Sequence, residues 1–307
     1  MIATVIKSTG SWYEVRKDSG EVVLCRLKGK FKLDNKKITN PIAVGDKVVI
    51  GKEDKGNNTW VVSEIKPREN YIVRKAIKKS EHAHILAANI DQAVLIATLA
   101  MPRTSLGFID RFLVTAEAYR IPAVILWNKS DLLKPDHLAV IDQLNETYNH
   151  IGYNTSLISS LNSTDVDAVR TFFSGKTSLI AGHSGVGKTT FLNALIPALN
   201  QKTSAISTFA NKGVHTTTFA EMFIIDGKSF VIDTPGIKEL GLIEVEEDEL
   251  SHYFPEMRTL FGKCKFNNCT HLHEPKCAVI KAVQKGEIAE SRYLSYLSMY
   301  EDEESHR

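Results

Sequence analysis

The sequence predicts a multidomain α/β protein, and three regional patterns in its 307 residues support that fold class. Short alternating strands separated by turn signals fill residues 1–66, which is typical of a small β-barrel. Strands alternate with helices over residues 86–240, which indicates a mostly parallel sheet covered on both faces. Mainly helical patterns surround a cysteine and histidine cluster over residues 241–307, and residues 67–85 form a basic linker between the first two regions.

The N-terminal region predicts about five short strands. The stretch ATVIKSTGSWYEVRKDSGEVVLCRL alternates apolar and polar residues, and it is broken at Thr9-Gly10 and Ser19-Gly20, where turns are expected. One further strand follows the turn signal Gly45-Asp46, and another contains WVVSEI. This pattern favours a closed barrel of OB type, with an SH3-like barrel as the alternative.

The central region repeats a strand and helix unit. Its strands are predicted in DQAVLIATLA, IPAVILWN, NTSLISS and TSLIAG, and EMFIIDG and SFVIDTPG form a pair. Its helices are predicted in LGFIDRFLVTAEAYR, PDHLAVIDQLNETYNHI, STDVDAVRTFF and GKTTFLNALI. Ser163 or Thr164 is the expected N-cap of the third helix.

A glycine-rich segment with the spacing G-x4-G-K-T lies between a predicted strand and a predicted helix. Its backbone N–H groups can surround a β-phosphate, Lys188 can neutralise β- and γ-phosphate oxygens, and the Thr189 hydroxyl can bind Mg²⁺. The segment alone does not distinguish ATP from GTP. Its residues are Gly182, His183, Ser184, Gly185, Val186, Gly187, Lys188, Thr189 and Thr190.

A second motif, Asn128-Lys129-Ser130-Asp131, follows a buried strand and matches the N-K-x-D pattern by which GTPases recognise guanine. The Asp131 carboxylate can accept hydrogen bonds from guanine N1–H and the 2-amino group, and adenine offers no such pair of donors. The Lys129 stem can lie on the base, and Asn128 can tie this loop to the phosphate-binding strand. Ser159 and Ser160 end the next strand and fit the loop that backs the base.

The tetrapeptide Asp233-Thr234-Pro235-Gly236 ends another predicted strand. The Asp233 carboxylate can join the Mg²⁺ shell, and Gly236 can offer its N–H to the γ-phosphate. Such a segment relaxes when the phosphate leaves and thus acts as a switch.

The polar stretch TSAISTFANKGVHTTTFAEM precedes that tetrapeptide and suits a mobile first switch. We expect Thr217, rather than Thr216, to supply a second hydroxyl to Mg²⁺. Ile237 stands where many GTPases carry a water-orienting glutamine, so His215 is the candidate catalytic residue. The alternative for His215 is an ordinary surface histidine.

The guanine motif precedes the phosphate-binding segment, the reverse of the usual order in GTPases. Ligands of open parallel sheets bind at the carboxyl ends of the strands, so spatial position matters more than chain order. Joining the usual termini and cutting the chain elsewhere preserves such a site. The sequence therefore predicts a circularly permuted P-loop GTPase domain, whose second switch leads directly into the C-terminal region.

The cysteine and histidine cluster has the spacing Cys264-x4-Cys269-x-His271-x5-Cys277. Three thiolates and one imidazole suit a closed, tetrahedral, structural Zn²⁺ site, with His273 as a possible substitute for His271. A redox pair is the alternative. The remaining cysteine, Cys25, lies in a strand and is expected to be a small buried residue.

Composition restricts the functional classes. Apolar residues make up 43% and charged residues 24%, and no stretch approaches the roughly 20 apolar residues that span a bilayer. The cysteine usage favours a reducing cytoplasm, and no signal peptide is evident.

Residues 1–80 hold 18 lysines and arginines against nine acidic residues, whereas the remainder holds 20 lysines and arginines against 27 acidic residues. A basic N-terminal region is typical of polyanion binding, although a solvated lysine-rich surface is the alternative.

The permuted motifs, the basic barrel and the metal spacing together resemble the RsgA family of bacterial GTPases, over essentially the entire chain. The resemblance implies an OB-fold domain, a GTPase domain with Mg²⁺ and a domain with one structural Zn²⁺. It implies GTP hydrolysis stimulated by the 30S ribosomal subunit, and a role in late 30S maturation through contact with 16S rRNA. It also implies that Asn128, Lys129 and Asp131 hold guanine, that residues 182–190 hold phosphates and Mg²⁺, and that His215 is catalytic.

Two other functions remain open at this point. The chain can be a GTP-dependent switch for a non-ribosomal protein partner, or an RNA-binding protein with a vestigial nucleotide site. The intact Lys188, Thr189 and Asp233 argue against the second. We expect a cytoplasmic monomer without membrane association.

Overall fold

The computed structural model describes most of the chain. The described residues are 1–9, 11–27, 41–52, 59–74, 84–199, 220–233, 245 and 248–304, with the side chains of residues 74, 84 and 302–304 excepted. Three predicted site residues, His215, Thr217 and Gly236, lie outside them.

The N-terminal region forms a five-stranded barrel in its described part. Its strands are β1 (Ile2–Ser8), β2 (Tyr13–Lys17), β3 (Val22–Leu27), β4 (Lys47–Lys52) and β5 (Trp60–Ile65). The order is β1-β2-β3-β5-β4, and β4 pairs back to β1 and closes the barrel. The pairs are antiparallel except for β3 and β5. Alternate residues such as Tyr13 and Val15 fill the interior, which is the OB-like arrangement that the sequence predicts.

Cys25 lies in this interior and is fully buried, as predicted. Burial raises the pKa of its thiol to about 11, so it remains protonated and unreactive at neutral pH.

The predicted linker packs against the barrel. Arg68 donates two hydrogen bonds of 2.7 Å to the buried carboxylate of Asp46, which also accepts the N–H of Ala43 at 2.8 Å. A short hairpin follows, made of β6 (Tyr71–Arg74) and β7 (His84–Ala88). The first strand of this hairpin lies inside the segment that the sequence suggests is a linker.

The central region contains a mostly parallel sheet. Its strands are β8 (Gln92–Ala97), β9 (Ala123–Trp127), β10 (Asn154–Leu157), β11 (Thr177–Ala181), β12 (Glu221–Ile224) and β13 (Phe230–Asp233). Their spatial order is β10-β9-β8-β11-β13-β12, and β12 alone of these six runs antiparallel. At its edge β12 pairs with β1 of the barrel, where the Lys7 ammonium contacts the Glu221 carboxylate at 2.8 Å.

Helices cover both faces of this sheet. They are α1 (Leu106–Ala118), α2 (Pro135–His150), α3 (Ser163–Arg170) and α4 (Lys188–Leu195). Residues of α1 and α2 share one apolar core, and residues of α3 and α4 share the other. The N-cap of α3 is Asn162, whose side chain accepts the N–H of Thr164 at 3.0 Å. The expected cap at Ser163 or Thr164 is therefore wrong, because both residues already belong to the helix.

The C-terminal region is mainly helical and packs on α1. Its helices are α5 (Pro255–Arg258), α6 (Ala278–Gln284) and α7 (Glu290–Glu304), and Gly286, with φ of 74°, separates the last two. Val114 of α1 belongs to the apolar core of this region. None of the helices that the structure describes is long and apolar enough to cross a membrane.

Candidate nucleotide and metal sites

The candidate nucleotide site lies at the carboxyl edge of the central sheet. The glycine-rich segment follows β11, the N-K-x-D motif follows β9, and the Ser159-Ser160 pair follows β10. All three strands run parallel in one sheet, so their carboxyl ends meet at the same edge. The altered chain order thus leaves these elements adjacent in space.

Two glycines of the phosphate loop occupy positions that disfavour any residue with a side chain. Gly182 has φ of 144°, and a Cβ there would collide with the carbonyl oxygen of Ile96. Gly187 has φ of 97°, and its Cβ would overlap the side-chain nitrogen of Asn128. The backbone of this loop therefore approaches its neighbours as closely as a glycine permits. The ammonium of Lys188 lies against the loop, 2.5 Å from the carbonyl oxygen of Gly182.

Asn128 connects three loops of the site. Its buried side-chain amide donates to the carbonyl oxygen of Val186 in the phosphate loop at 2.8 Å. Its amide oxygen accepts the backbone N–H of Ser160 at 2.9 Å and the Ser160 hydroxyl at 2.8 Å. The tie that the sequence suggests thus reaches the phosphate loop itself, rather than the strand before it.

The other residues of the N-K-x-D motif are held by different partners. The Asp131 carboxylate accepts the hydroxyl of Ser159 at 2.5 Å. Lys129 has φ of 67°, and its ammonium donates to the carbonyl oxygen of Met101 at 2.6 Å. Ser130 begins a short 3-10 turn and donates its N–H to the carbonyl oxygen of Ile158 at 3.1 Å. These contacts fix the loop in one backbone conformation.

A cavity of about 240 Å³ lies between the base-side loops and the phosphate loop. Asp131 and Gly187 line the same cavity, so a residue of the N-K-x-D motif and a residue of the glycine-rich segment face one space. The lining residues are Asn128, Lys129, Asp131, Leu132, Ser159, Ser160, Leu161, Gly187 and Thr190.

Sequence reasoning missed two members of this lining, Leu132 and Leu161. Their side chains are exposed, Leu161 by 78%, although both are apolar. Exposed leucines at a cavity mouth can cover the face of a flat ligand. The signal was available, because each leucine directly follows one of the two base-side motifs.

Asp233 ends β13, the strand beside the phosphate-loop strand, and its partner in the register is Ile180. Burial raises the pKa of the Asp233 carboxyl, and the nearby Lys188 ammonium acts in the opposite direction. The half-buried Asp233 carboxylate near the Lys188 ammonium is a hard oxygen ligand of the type that Mg²⁺ prefers.

The remaining phosphate-loop residues have distinct surroundings. Ser184 and Gly185 are exposed, and Thr189 and Thr190 lie in the first turn of α4. The His183 ring lies on the ring of Phe108, with centroids 3.7 Å apart.

The four predicted metal ligands come together in the C-terminal region. The ligand atoms of Cys264, Cys269, His271 and Cys277 all lie within 4.8 Å of one another. The His271 Nδ1 is 3.3 Å from the Cys277 sulfur and 3.7 Å from the Cys264 sulfur. Tetrahedral ligands about 2.0–2.3 Å from a metal lie at roughly these separations. The cluster can therefore hold a metal ion, with His271 rather than His273 as the imidazole.

Backbone and carboxylate groups support this cluster. The N–H of Ala278 points to the Cys264 sulfur at 3.3 Å. The Glu274 carboxylate accepts the N–H and hydroxyl of Thr270 and the N–H of Leu272. Burial alone would raise the pKa of Glu274, but these hydrogen bonds outweigh it and hold that pKa at about 2. Sequence reasoning missed Glu274, since a single acidic residue among metal ligands has no distinguishing pattern.

Comparison with known proteins covers almost the whole chain. A family model described as RsgA GTPase matches residues 65–243, and one described as RsgA N-terminal domain matches residues 3–59. The chain belongs to the RsgA GTPase family. Family membership confirms the resemblance that the motifs suggest, and members of the RsgA family are GTP hydrolases.

Curated RsgA relatives match over nearly their full lengths. The chain is 52% identical to "Small ribosomal subunit biogenesis GTPase RsgA" of Bacteroides fragilis over 304 residues, which are 99% of this chain and 97% of the relative. It is 50% identical, with the same coverage, to "Small ribosomal subunit biogenesis GTPase RsgA 2" of Bacteroides thetaiotaomicron.

Two solved structures share the fold. The crystal structure of YjeQ from Thermotoga maritima has a TM-score of 0.79 and 35% identity, and covers 98% of this chain and 97% of its own. YloQ, described as a circularly permuted GTPase, has a TM-score of 0.77 and 32% identity. The match covers 100% of this chain and 96% of the YloQ chain. The permuted fold class predicted from the motif order is therefore confirmed.

Proposed function

We propose that this chain is a GTP phosphohydrolase of small ribosomal subunit biogenesis. It binds the 30S subunit and hydrolyses GTP to GDP and phosphate during late 30S maturation, and the subunit stimulates its turnover. One observation carries the nucleotide part of this proposal, namely that Asp131 and the phosphate-loop residue Gly187 line one cavity. Relatives about half identical over the full chain, named as small ribosomal subunit biogenesis GTPases, support the ribosomal part.

Each part of the cavity has a proposed role toward GTP. The Asp131 carboxylate reads the guanine edge, the Lys129 stem lies on the base, and Asn128 fixes the geometry between them. The remaining guanine-side contacts come from Ser130, Ser159 and Ser160. The phosphate side consists of Gly182, His183, Ser184, Gly185, Val186, Gly187, Lys188, Thr189, Thr190, Asp233 and Gly236.

We propose that Thr189, Thr217 and Asp233 hold the Mg²⁺ that accompanies GTP. Mg²⁺ neutralises charge on the phosphates during transfer to water. His215 is the proposed catalytic residue, because Ile237 cannot orient water. The His215→Ala variant should bind GTP nearly as well as the wild type and lose subunit-stimulated turnover. A large loss of GTP binding in this variant would mean that His215 has a structural role.

We propose that the ion at Cys264, Cys269, His271 and Cys277 is one structural Zn²⁺, because thiolates are soft ligands that favour zinc. Bound zinc would hold together a region with a small core of its own. The proposed domains are residues 1–66, OB fold; 67–85, linker; 86–240, GTPase; and 241–307, zinc-binding.

We propose that the basic N-terminal region contacts 16S rRNA. Its excess of lysine and arginine over acidic residues supports this role, and counterion release makes such binding fall steeply with salt. A factor that acts on maturing 30S subunits works in the cytoplasm, and we propose that it does so as a monomer.

The deciding experiment measures phosphate release from GTP with and without 30S subunits across a salt series, with Lys188→Ala as the inactive control. We expect slow basal turnover, strong stimulation at low salt and little at high salt. Turnover that 30S subunits leave unchanged would overturn the ribosomal role and favour a switch for a non-ribosomal protein partner. No turnover in either condition would favour an RNA-binding protein without catalysis.

A further inference from the structure

The connection between β8 and α1, residues 98–105, runs beside the phosphate loop, and its flanking residues also contact it. On one side Gly182 lies so close to the carbonyl oxygen of Ile96 that only glycine fits. In the middle a Cβ at Gly185 would lie 3.4 Å from the Pro102 ring, an ordinary contact distance. These contacts and one from α1 support the phosphate loop from outside.

The contact from α1 involves its first turn. Ser105 caps the helix by accepting the N–H of Phe108 at 3.3 Å, which fixes that turn. The Phe108 ring then lies on the His183 ring of the phosphate loop, with 3.7 Å between centroids and 34° between planes.

The same connection also reaches the base side of the cavity. The carbonyl oxygen of Met101 accepts the ammonium of Lys129 at 2.6 Å. Lys129 is the residue whose stem is proposed to lie on guanine. One short segment therefore contacts both the phosphate half and the base half of the candidate site.

The shape of this segment depends on two buried threonines. The Thr104 hydroxyl accepts the backbone N–H of Thr98 at 3.0 Å, and the Thr104 N–H donates to the Thr98 carbonyl oxygen at 2.8 Å. The Thr98 hydroxyl in turn donates to the carbonyl oxygen of Pro102. Both threonines are at most 3% exposed, whereas Met101 between them is 72% exposed. The hydroxyl of Thr104 is thus the buried side-chain group that closes a loop with an exposed tip.

We infer that Thr104 is a positioning residue for nucleotide binding. By closing the loop it keeps the Met101 carbonyl at the Lys129 ammonium and the Pro102 ring against Gly185. When the walls of a cavity are held in place before binding, the free-energy cost of ordering them on ligand binding is smaller. This inference rests on the proposed GTP site and adds to it a residue that touches neither base nor phosphate.

The test compares a substitution that removes the hydroxyl and keeps the size of the side chain with one that keeps the hydroxyl and removes the methyl group. Thr104→Val removes the acceptor of the Thr98 N–H, whereas Thr104→Ser retains a hydroxyl. We expect Thr104→Val to release fluorescently labelled GDP about tenfold faster than the wild type, the usual effect of leaving one buried donor unpaired. Thr104→Ser should stay within about twofold. In the subunit-stimulated reaction the KM for GTP should rise in Thr104→Val while kcat is unchanged, since chemistry is not altered.

The matched control is Thr115→Val in α1. Thr115 is also buried, and its hydroxyl donates to the carbonyl oxygen of Arg111 at 2.8 Å, within the helix. This variant also loses a buried hydroxyl and should keep the wild-type rate of GDP release. Equal acceleration in Thr104→Val and Thr115→Val would mean a general loss of stability and would overturn the inference.

A further variant provides a second test in case Thr104→Val does not fold. Phe108→Leu removes the stack on His183 and keeps an apolar side chain, and it should also release GDP faster. Wild-type release rates in both Thr104→Val and Phe108→Leu, with GDP bound by the wild type, would overturn the inference and leave the GTP site intact. A wild-type protein that binds no guanine nucleotide would instead overturn the proposed function.

Discussion

The side-chain amide of Asn128 donates a hydrogen bond of 2.8 Å to the carbonyl oxygen of Val186, 58 residues further along the chain. This bond joins the base-side loop to the phosphate loop in the interior of the site. A guanine and a triphosphate can bind together only if these two loops keep a fixed separation. The bond therefore holds together two loops that the permuted chain order separates.

Asn128→Ala should weaken the binding of GTP and GDP alike. The change leaves the Val186 carbonyl and the Ser160 N–H without this partner. Each buried group left unpaired lowers the stability of the site by about 1–3 kcal/mol. We expect at least tenfold lower affinity for both nucleotides by calorimetry. Asn145→Ala is the control, because Asn145 accepts the indole N–H of Trp127 at 2.9 Å on α2 and lies outside the cavity lining. Similar losses in both variants would contradict the specific role of Asn128.

Gly187→Ala should abolish nucleotide binding in a folded protein. An alanine Cβ would overlap the Asn128 side chain, and the φ of 97° is unfavourable for any residue with a Cβ. Gly152 has a similar φ of 100° but open space around its Cβ position. Gly152→Ala should therefore lower the melting temperature and leave GDP affinity unchanged. Retention of GDP binding by Gly187→Ala would show that the phosphate loop adopts another conformation.

Asp131→Asn should change the base preference from guanine to xanthine. Asparagine presents a donor where the guanine edge needs an acceptor, and each hydrogen bond to a charged group contributes about 1.5–3 kcal/mol. We expect roughly 100-fold weaker GTP binding and measurable binding of xanthosine triphosphate. The exposed Asp136→Asn in α2 is the control for lost charge. An unaltered preference for GTP would remove Asp131 from the base-reading role.

The fold was predictable from local sequence patterns wherever the buried face of a strand or a single motif determined the structure. The alternation of buried residues such as Tyr13 and Val15 predicted a barrel. The buried strand before Asn128 predicted that this motif lies at the edge of a parallel sheet. The edge pairing of β12 with the barrel was not predictable, because one register contact between Lys7 and Glu221 leaves no periodic signal. The three loops that form the cavity were predictable, since each follows a strand.

Supporting residues of the site were less predictable. Thr104 and Glu274 accept hydrogen bonds from nearby backbone N–H groups, so no motif position specifies them. Arg292 is the clearest case, since arginine on a helix is ordinarily exposed and this one is only 1% exposed. His215 and Thr217 lie outside the described residues and remain predictions.

Removal of the metal should unfold the C-terminal region and spare the nucleotide site. Cys277→Ser, or a strong zinc chelator, should abolish protection from hydrogen exchange in α6 while α4 keeps its protection. The expected cause is that four ligands from one short loop are held together by the ion, so the loop depends on it. Cys25→Ser is the control, because Cys25 is a buried barrel residue outside the cluster. Unchanged exchange after metal loss would rule out a structural metal.

Arg292→Met should strongly destabilise the attachment of the C-terminal region to α1. The guanidinium donates to the Asp110 carboxylate at 2.7 Å and to both oxygens of Glu256 at 2.7 and 3.2 Å. Its loss leaves two buried carboxylates without their cation, at a cost of about 3–5 kcal/mol. The exposed pair of Lys285 and Glu287 is the control, and Lys285→Met should cost at most about 1 kcal/mol in urea denaturation.

The Arg292→Met defect should also depend on pH. Burial raises the pKa of Asp110 in the wild type, and the Arg292 charge opposes that shift. Without the charge the folded carboxyl binds its proton more readily than the unfolded one, so the folded state gains stability as the pH falls. Urea denaturation at pH 5.5 and 8.5 should therefore show the smaller defect at pH 5.5. Addition of Asp110→Asn to Arg292→Met should remove most of this pH dependence, and a defect equal at both pH values would mean that Asp110 does not titrate with folding.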